Sequence, residues 1–256
     1  RNSEQEEMAH MLRKKSRTLV AFGACACFGG IPGLANLSDK EEIFNLVYHI
    51  LPSVENPERV TPQPKYAAPE GDLTIPEFYD TVRALHQVTE VDYFLPGCPP
   101  TPELIEQAVT AIFEGNLPPR GSVLAPEKAL CEECPLEIKE KKIPGIKRPH
   151  EVIPDGKRCL LEQGLICMGI NTRSGCGARC IKANMPCRGC MGPTPGITDQ
   201  GAKLASAIAS ILGVDGEERM AEAEIEELIN QIKDPLGTFY RYTLPVSLLR
   251  RKVMKR

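Results

Sequence analysis

Eight cysteines fall between Cys131 and Cys190, in a stretch with almost no helical or strand periodicity. A structureless run that long argues against a compact domain unless something other than secondary structure organises it. Cysteine offers two organisers, disulfides and thiolate-bound metal. The chain holds eleven Cys, so disulfides would leave a thiol unpaired. At 256 residues and 42% hydrophobic content it can also bury a sizeable core without covalent staples. Metal is the better reading.

The eight divide by position into two sets. One is Cys131, Cys134, Cys159 and Cys167, a CxxC joined to a second pair much later in the chain. The other is Cys176, Cys180, Cys187 and Cys190, a CxxxC followed closely by CxxC. Four thiolates suit a cubane 4Fe-4S cluster, one per iron. Structural zinc is the competitor, but zinc ribbons usually carry CxxC knuckles on both sides and each set here has one. Gly164, Gly169, Gly175, Gly177 and Gly189 flank the thiols and let backbone amides approach sulfur.

The region before this stretch has ordinary periodicity. Ser3 is a candidate N-cap for a short amphipathic helix, with acids in the first turn, Arg13, Lys14 and Lys15 in the last, and Met8, Met11 and Leu12 on one face. Thr18 to Gly23 reads as a strand buried on both faces, ending in a turn that carries Cys25, Gly29 and Gly30. Ser38 and Glu41 suggest a capping box for a helix to about Leu51. Pro52 to Ile75 is too proline-rich for regular structure. A helix from Pro76 to His86 is expected next, then a strand from Glu90 to Leu95 ending at Pro96-Gly97-Cys98-Pro99-Pro100. Thr101 caps and Pro102 opens a helix with Leu104, Ile105, Ala108, Val109 and Ile112 as its apolar stripe.

This order predicts an α/β fold: a doubly wound parallel-sheet domain over residues 1–120, then a loop-rich cluster domain with C-terminal helices over residues 121–256. The boundary falls at Leu117 to Gly121. Terminal helices are expected from Thr198 to Leu212 and from Glu217 to Lys233, the latter with Met220, Ile225, Leu228, Ile229 and Ile232 inward. Cys25 and Cys98 each follow a strand's C-terminal end, where ligands collect in open α/β sheets, and read as half of a third cluster site in preference to buried core thiols. Cys27 reads as a buried core thiol. His10, His49, His86 and His150 show no ligand spacing with the cysteines.

A net charge of −3 argues against a nucleic-acid surface, and the basic stretch Lys139 to Lys157 reads as a solvated loop or docking rim. No apolar run approaches the roughly 20 residues of a membrane span, so a soluble chain is the expectation, with a peripheral site on a membrane complex left open. The chain opens at Arg1 with no start-like segment, so it is expected to be processed or incomplete at that end.

These residues carry a family resemblance. Gly23-Ala24-Cys25-Ala26 with Gly29-Gly30-Ile31-Pro32-Gly33 resembles the third proximal-cluster ligand of NiFe hydrogenase small subunits, and Pro96-Gly97-Cys98-Pro99-Pro100 resembles the fourth. A respiratory complex I subunit has the same Gly-Cys-Pro-Pro element but carries no second domain. Cys159 through Gly169, CLLEQGLICMG, and Pro186 through Gly192, PCRGCMG, resemble the distal and medial segments of the hydrogenase subunits. The tail Gly237-Thr238-Phe239-Tyr240 and Thr243-Leu244-Pro245 resembles the viologen-reducing type that works with heterodisulfide reductase in methanogenesis.

The resemblance implies a flavodoxin-like first domain and three 4Fe-4S clusters: proximal at Cys25 and Cys98, medial at Cys176, Cys180, Cys187 and Cys190, distal at Cys131, Cys134, Cys159 and Cys167. Cys131 stands where many relatives have His, and Cys180 supplies the ligand a three-iron medial site lacks. The implied partners are a NiFe large subunit, which holds the catalytic centre, and an iron–sulfur acceptor subunit leading to heterodisulfide reductase. The family's first strand and CxxC pair, the other proximal ligands, are absent from this sequence. An upstream stretch is the favoured source, a separate chain or a lost cluster the alternatives. Two other readings stand beside this one: a bridge for a formate- or deazaflavin-oxidising partner, and a structural zinc module.

Overall fold

Asn2, rather than Ser3, caps the first helix: its side chain accepts the Gln5 N–H at 2.9 Å, and helix α1 runs Ser3–Lys15. The Ser3 hydroxyl is engaged elsewhere, accepting the Glu77 N–H at 3.0 Å. Helix α1 buries only Ala9, and the expected apolar face of Met8, Met11 and Leu12 is exposed. The computed structural model describes residues 1–139, 143, 145–212 and 222–252.

Strand β1 (Val20–Phe22) pairs in parallel with a strand at Tyr93–Leu95, Val20 opposite Tyr93 and Phe22 opposite Leu95. Ala21 is fully buried, but Phe22 is 52% exposed, so the strand is covered on one face rather than two. A parallel bridge from Phe94 to Val123 extends the sheet across the expected boundary. Immediately after β1 the chain enters helix α2 (Gly23–Phe28) in place of the expected turn; Gly29, in the left-handed region, ends it. Cys25 therefore sits on a helix.

The capping box lies one residue later than predicted, with Asp39 and Glu42 reciprocally bonded ahead of helix α3 (Lys40–Asn45), which continues as a wider turn to Ile50. The proline-rich stretch contains a hairpin, β2 (Lys65–Ala68) against β3 (Gly71–Thr74). No helix forms between Pro76 and His86; the only helical turn is Leu85–Gln87. Buried Asn36 holds that segment irregular, donating to Val82 O at 3.0 Å and accepting the Val82 N–H at 2.7 Å.

Strand β4 (Tyr93–Leu95) leads to helix α4 (Pro102–Glu114), capped by Thr101 as expected. Leu104 and Ala108 are buried, while Val109 and Ile112 lie largely exposed. From Ala125 to Thr198 the described chain has only short turns and helix α5 (Arg179–Lys182). Helix α6 (Gln200–Leu212) buries Leu204 and Ile208 against that loop region. Helix α7 (Glu222–Asn230) and helix α8 (Pro235–Phe239) follow. Leu228 is partly buried, but Ile229 faces solvent, contrary to expectation. Met220 and the start of the predicted helix at residue 217 lie outside the described residues, as does the Ile225 side chain. Among the described residues no helix is long and apolar enough to cross a membrane.

Candidate iron–sulfur cluster sites

All eleven thiols are free of disulfide bonds. Cys27 is fully buried and donates its S–H to Ala21 O at 3.2 Å, which makes it a satisfied core thiol.

Cys131, Cys134, Cys159 and Cys167 line one small cavity with Leu136 and Ile181. Local backbone bonds bring them there from three segments. The Leu130–Glu132 turn is anchored by Leu130 N–H on Thr172 O at 2.8 Å, and Cys159 donates its N–H to Glu137 O at 2.7 Å. A Cβ on Gly169 would stand 3.4 Å from Cys131 Sγ and 3.7 Å from Cys167 Sγ, so two sulfurs lie over bare backbone. Burial, reinforced by the other three thiols, pushes the Cys131 pKa up to about 12. Burial likewise raises Cys159 and Cys167.

The second set is assembled around helix α5. Burial pushes the Cys190 pKa up to about 12, with Cys176, Cys180 and Cys98 as its charged-form neighbours. Cys176 is raised by burial and also feels Cys180. Cys187 is the most deeply held, raised by burial and by Cys167 and Cys190, while Gly189 N–H donates to its sulfur at 3.4 Å.

Cys187 also joins the two sets. Its N–H donates to Cys167 Sγ at 3.3 Å, and Met168 N–H donates back to Cys187 O at 3.0 Å.

Cys25 and Cys98 are exposed at the C-terminal ends of β1 and β4. Ala24 N–H donates to Gly97 O at 2.7 Å, which ties the two loops, and Gly23 and Gly97 both take positive φ there. A Cβ on Gly30 would come within 2.7 Å of Cys25 Sγ, so only glycine fits beside that thiol. Burial and the nearby Cys98 raise Cys25. Sulfur neighbours thus follow one another from Cys25 to Cys98, to Cys190, to Cys187, and to Cys167.

Among the described residues no three Cys, His, Asp or Glu side chains are drawn tightly enough together to hold a single metal ion. Burial and mutual proximity keep these thiols protonated, and only a group of positive charge that takes the place of the protons would hold several of them together as thiolates. Iron–sulfur cubes do this with one thiolate per iron, and both donor sets fit such a group. No histidine is needed: His86, for example, stacks edge-on against Phe94 at 5.5 Å. Sequence reasoning missed Glu133, whose carboxylate accepts Gly175 N–H at 3.0 Å and so reaches the second set from inside the first. Its spacing to Cys176 carried no signal, because the contact is made by tertiary folding.

Residues 1–112 match the family described as NADH ubiquinone oxidoreductase, 20 Kd subunit. Over 260 residues, all of this chain and 79% of the relative, it is 41% identical to the F420-non-reducing hydrogenase iron-sulfur subunit of Archaeoglobus profundus. The chain belongs to this family of hydrogenase subunits. A vhu subunit of the F420-non-reducing hydrogenase of Methanocaldococcus jannaschii is 41% identical over 98% of the chain and 77% of that protein. A crystal structure of an NAD+-reducing [NiFe]-hydrogenase in the H2-reduced state is 34% identical and covers 44% of this chain and 59% of its own, with a TM-score of 0.39, too low to bear on the fold. Membership makes the chain a subunit of an oxidoreductase complex, and implies iron–sulfur clusters here and a large-subunit partner.

Proposed function

We propose that the chain is the electron-transfer small subunit of a NiFe hydrogenase, linking H2 oxidation in a large subunit to an iron–sulfur acceptor that serves heterodisulfide reductase in the cytoplasm. The observation that carries this reading is the succession of sulfur neighbours from Cys25 and Cys98 through Cys190 and Cys187 to Cys167. Bound clusters would supply one-electron acceptance and donation. Cys25 and Cys98 would hold the receiving group with two further thiols. Cys176, Cys180, Cys187 and Cys190 would hold the middle 4Fe-4S group, and Cys131, Cys134, Cys159 and Cys167 the outer one. No residue here need act as a general acid or base.

The short parallel pair β1–β4 would belong to a flavodoxin-like domain of residues 1–120, and residues 121–256 would form the cluster domain. Anaerobic purification with the large subunit, followed by iron, sulfide and zinc analysis, tests the proposal. About eight irons per chain are expected for the two complete sets, and about twelve with the third filled. Zinc without sulfide would sink the reading.

A further inference from the structure

Two adjacent carboxylates lie inside the Cys131-Glu132-Glu133-Cys134 loop, and they go to different places. Glu132 turns back on its own segment, where its Oε1 accepts the Ala129 N–H at 2.8 Å. Glu133 crosses to the other set. Its Oε2 accepts Gly175 N–H at 3.0 Å, its Oε1 accepts Ala178 N–H at 3.3 Å, and the same Oε1 lies 3.9 Å from Cys176 Sγ.

The segment that receives it has an uncommon backbone. Gly175, Gly177 and Ala178 all take positive φ, at 105°, 66° and 52°. Residues in and around the left-handed region turn neighbouring N–H groups toward one concave side, which makes a seat for an anion. Ala178 adopts this region at a steric cost that a glycine would not bear, so the shape is held from outside. Among the described residues, Glu133 is the only carboxylate bonded into that seat.

We propose that Glu133, though flanked by two ligands of the first set, is a positioning residue for the second: its carboxylate holds Gly175–Ala178 in the shape that presents Cys176, and its fixed negative charge lowers the reduction potential of the group bound there. The inference rests on the electron-transfer reading above. Adding an electron beside a fixed anion is disfavoured, and the half-buried carboxylate is less screened than one in open water. Glu132, one residue away, turns back onto the Ala129 N–H of its own segment.

The test is an anaerobic redox titration followed by electron paramagnetic resonance on the complex with its large subunit. The signal of the second set is assigned as the one that Cys180→Ser alters. Glu133→Gln keeps one acceptor oxygen, sets an amide N–H2 against the other N–H and removes the charge; it is expected to lose part of the second set's iron and, in the loaded fraction, to move that signal to more positive potential while leaving the first set's signal in place. Glu132→Gln is expected to leave the second set's potential unchanged. Glu133→Asp keeps the charge but is too short to span both N–H groups, so iron is lost from the second set and the fraction that remains titrates at the wild-type potential.

An unshifted potential in the loaded fraction of the Glu133→Gln protein overturns the inference, as do a fully retained second-set iron content in that variant and an equal shift from Glu132→Gln. Should Glu133→Gln fail to load, Glu133→Asp decides: iron-poor with an unshifted potential supports the proposal, fully loaded with a shifted potential overturns it. Absence of iron from the wild-type protein would instead sink the electron-transfer reading itself.

Discussion

The region around β1 and β4 and the region from Leu130 to Leu212 solve the problem of making a core in different ways. The first packs Ala21, Ala24, Cys27 and Phe28 behind a strand and a helix, and the thiols proposed as its ligands, Cys25 and Cys98, stand outside that core in solvent. The second buries Leu130, Leu160, Leu165, Ile181 and Leu204 together with Cys167 and Cys187. There the thiols are part of the core. One region packs its core without the thiols proposed as ligands, whereas the other packs through them.

The comparison is broken most directly with cysteine variants. Cys187→Ser, at the join of the two sets, is expected to remove at least about four irons per chain and to lower the yield of folded protein. Cys25→Ser should leave the iron of both complete sets in place. Iron and sulfide analysis of the two variants would contradict the contrast if they lost equal amounts.

Next in size is the apolar part of the second core. Leu204 is completely buried, and Leu204→Ala is expected to cost about 2–5 kcal/mol. Denaturant unfolding should show cluster absorbance bleaching at lower denaturant in this variant, with the α1–β1 region unaffected until its own transition.

Asp92 sharpens the other side. Its side chain is 1% exposed and takes Arg13 at 2.6 Å, Arg120 at 3.2 Å and the Leu19 N–H at 2.7 Å, joining α1 to both sides of the parallel pair. The Leu19 N–H and Arg13 hold its carboxyl below the usual carboxylate range. A depressed folded value means that the stability from Asp92 is complete above about pH 4, the unfolded value, and is lost as pH falls through the folded value. Asp92→Asn is expected to cost about 1–3 kcal/mol at neutral pH and to flatten that acid limb. Melting followed against pH would refute this if the wild type and variant lost stability in parallel.

The smallest effect belongs to the contact between the regions. The Thr101 hydroxyl accepts the Leu104 N–H at 3.4 Å as the cap of α4 and donates to Gly175 O at 3.5 Å. Thr101→Ala should cost about 1 kcal/mol, and Thr101→Ser should restore most of it. Hydrogen exchange at the start of α4 is the measurement; an unchanged rate in the alanine variant would remove the cap from the account.

What could be read from the chain alone follows the same division. The gathering of Cys131, Cys134, Cys159 and Cys167 at one cavity was legible because cysteine position is itself the signal, and helix α4 was legible because Thr101, Pro102 and a long apolar stripe agree. The hairpin β2–β3 was not, because Lys65, Tyr66, Ala67 and all of Gly71–Thr74 are exposed and so carry no alternation. The helix expected before His86 failed because Asn36, more than forty residues earlier, takes both the N–H and the carbonyl of Val82. Helix α2 is six residues of Gly, Ala, Cys and Phe, too short for periodicity to register. Glu133 was illegible for a related reason: its partners are chosen by the folded loop.

The paired hydrogen bonds between residues 167–168 and 187 have one more consequence. A motion that parted the two thiol sets would have to rupture the Cys187 N–H···Sγ contact and the Met168 N–H···O contact together. The gap between the sets is therefore held by one main-chain bond and by a second bond from the main chain onto the Cys167 sulfur. In the proposed relay, the hop across that gap would keep a nearly constant length, so its rate would be sharply defined and insensitive to the breathing of the loops outside.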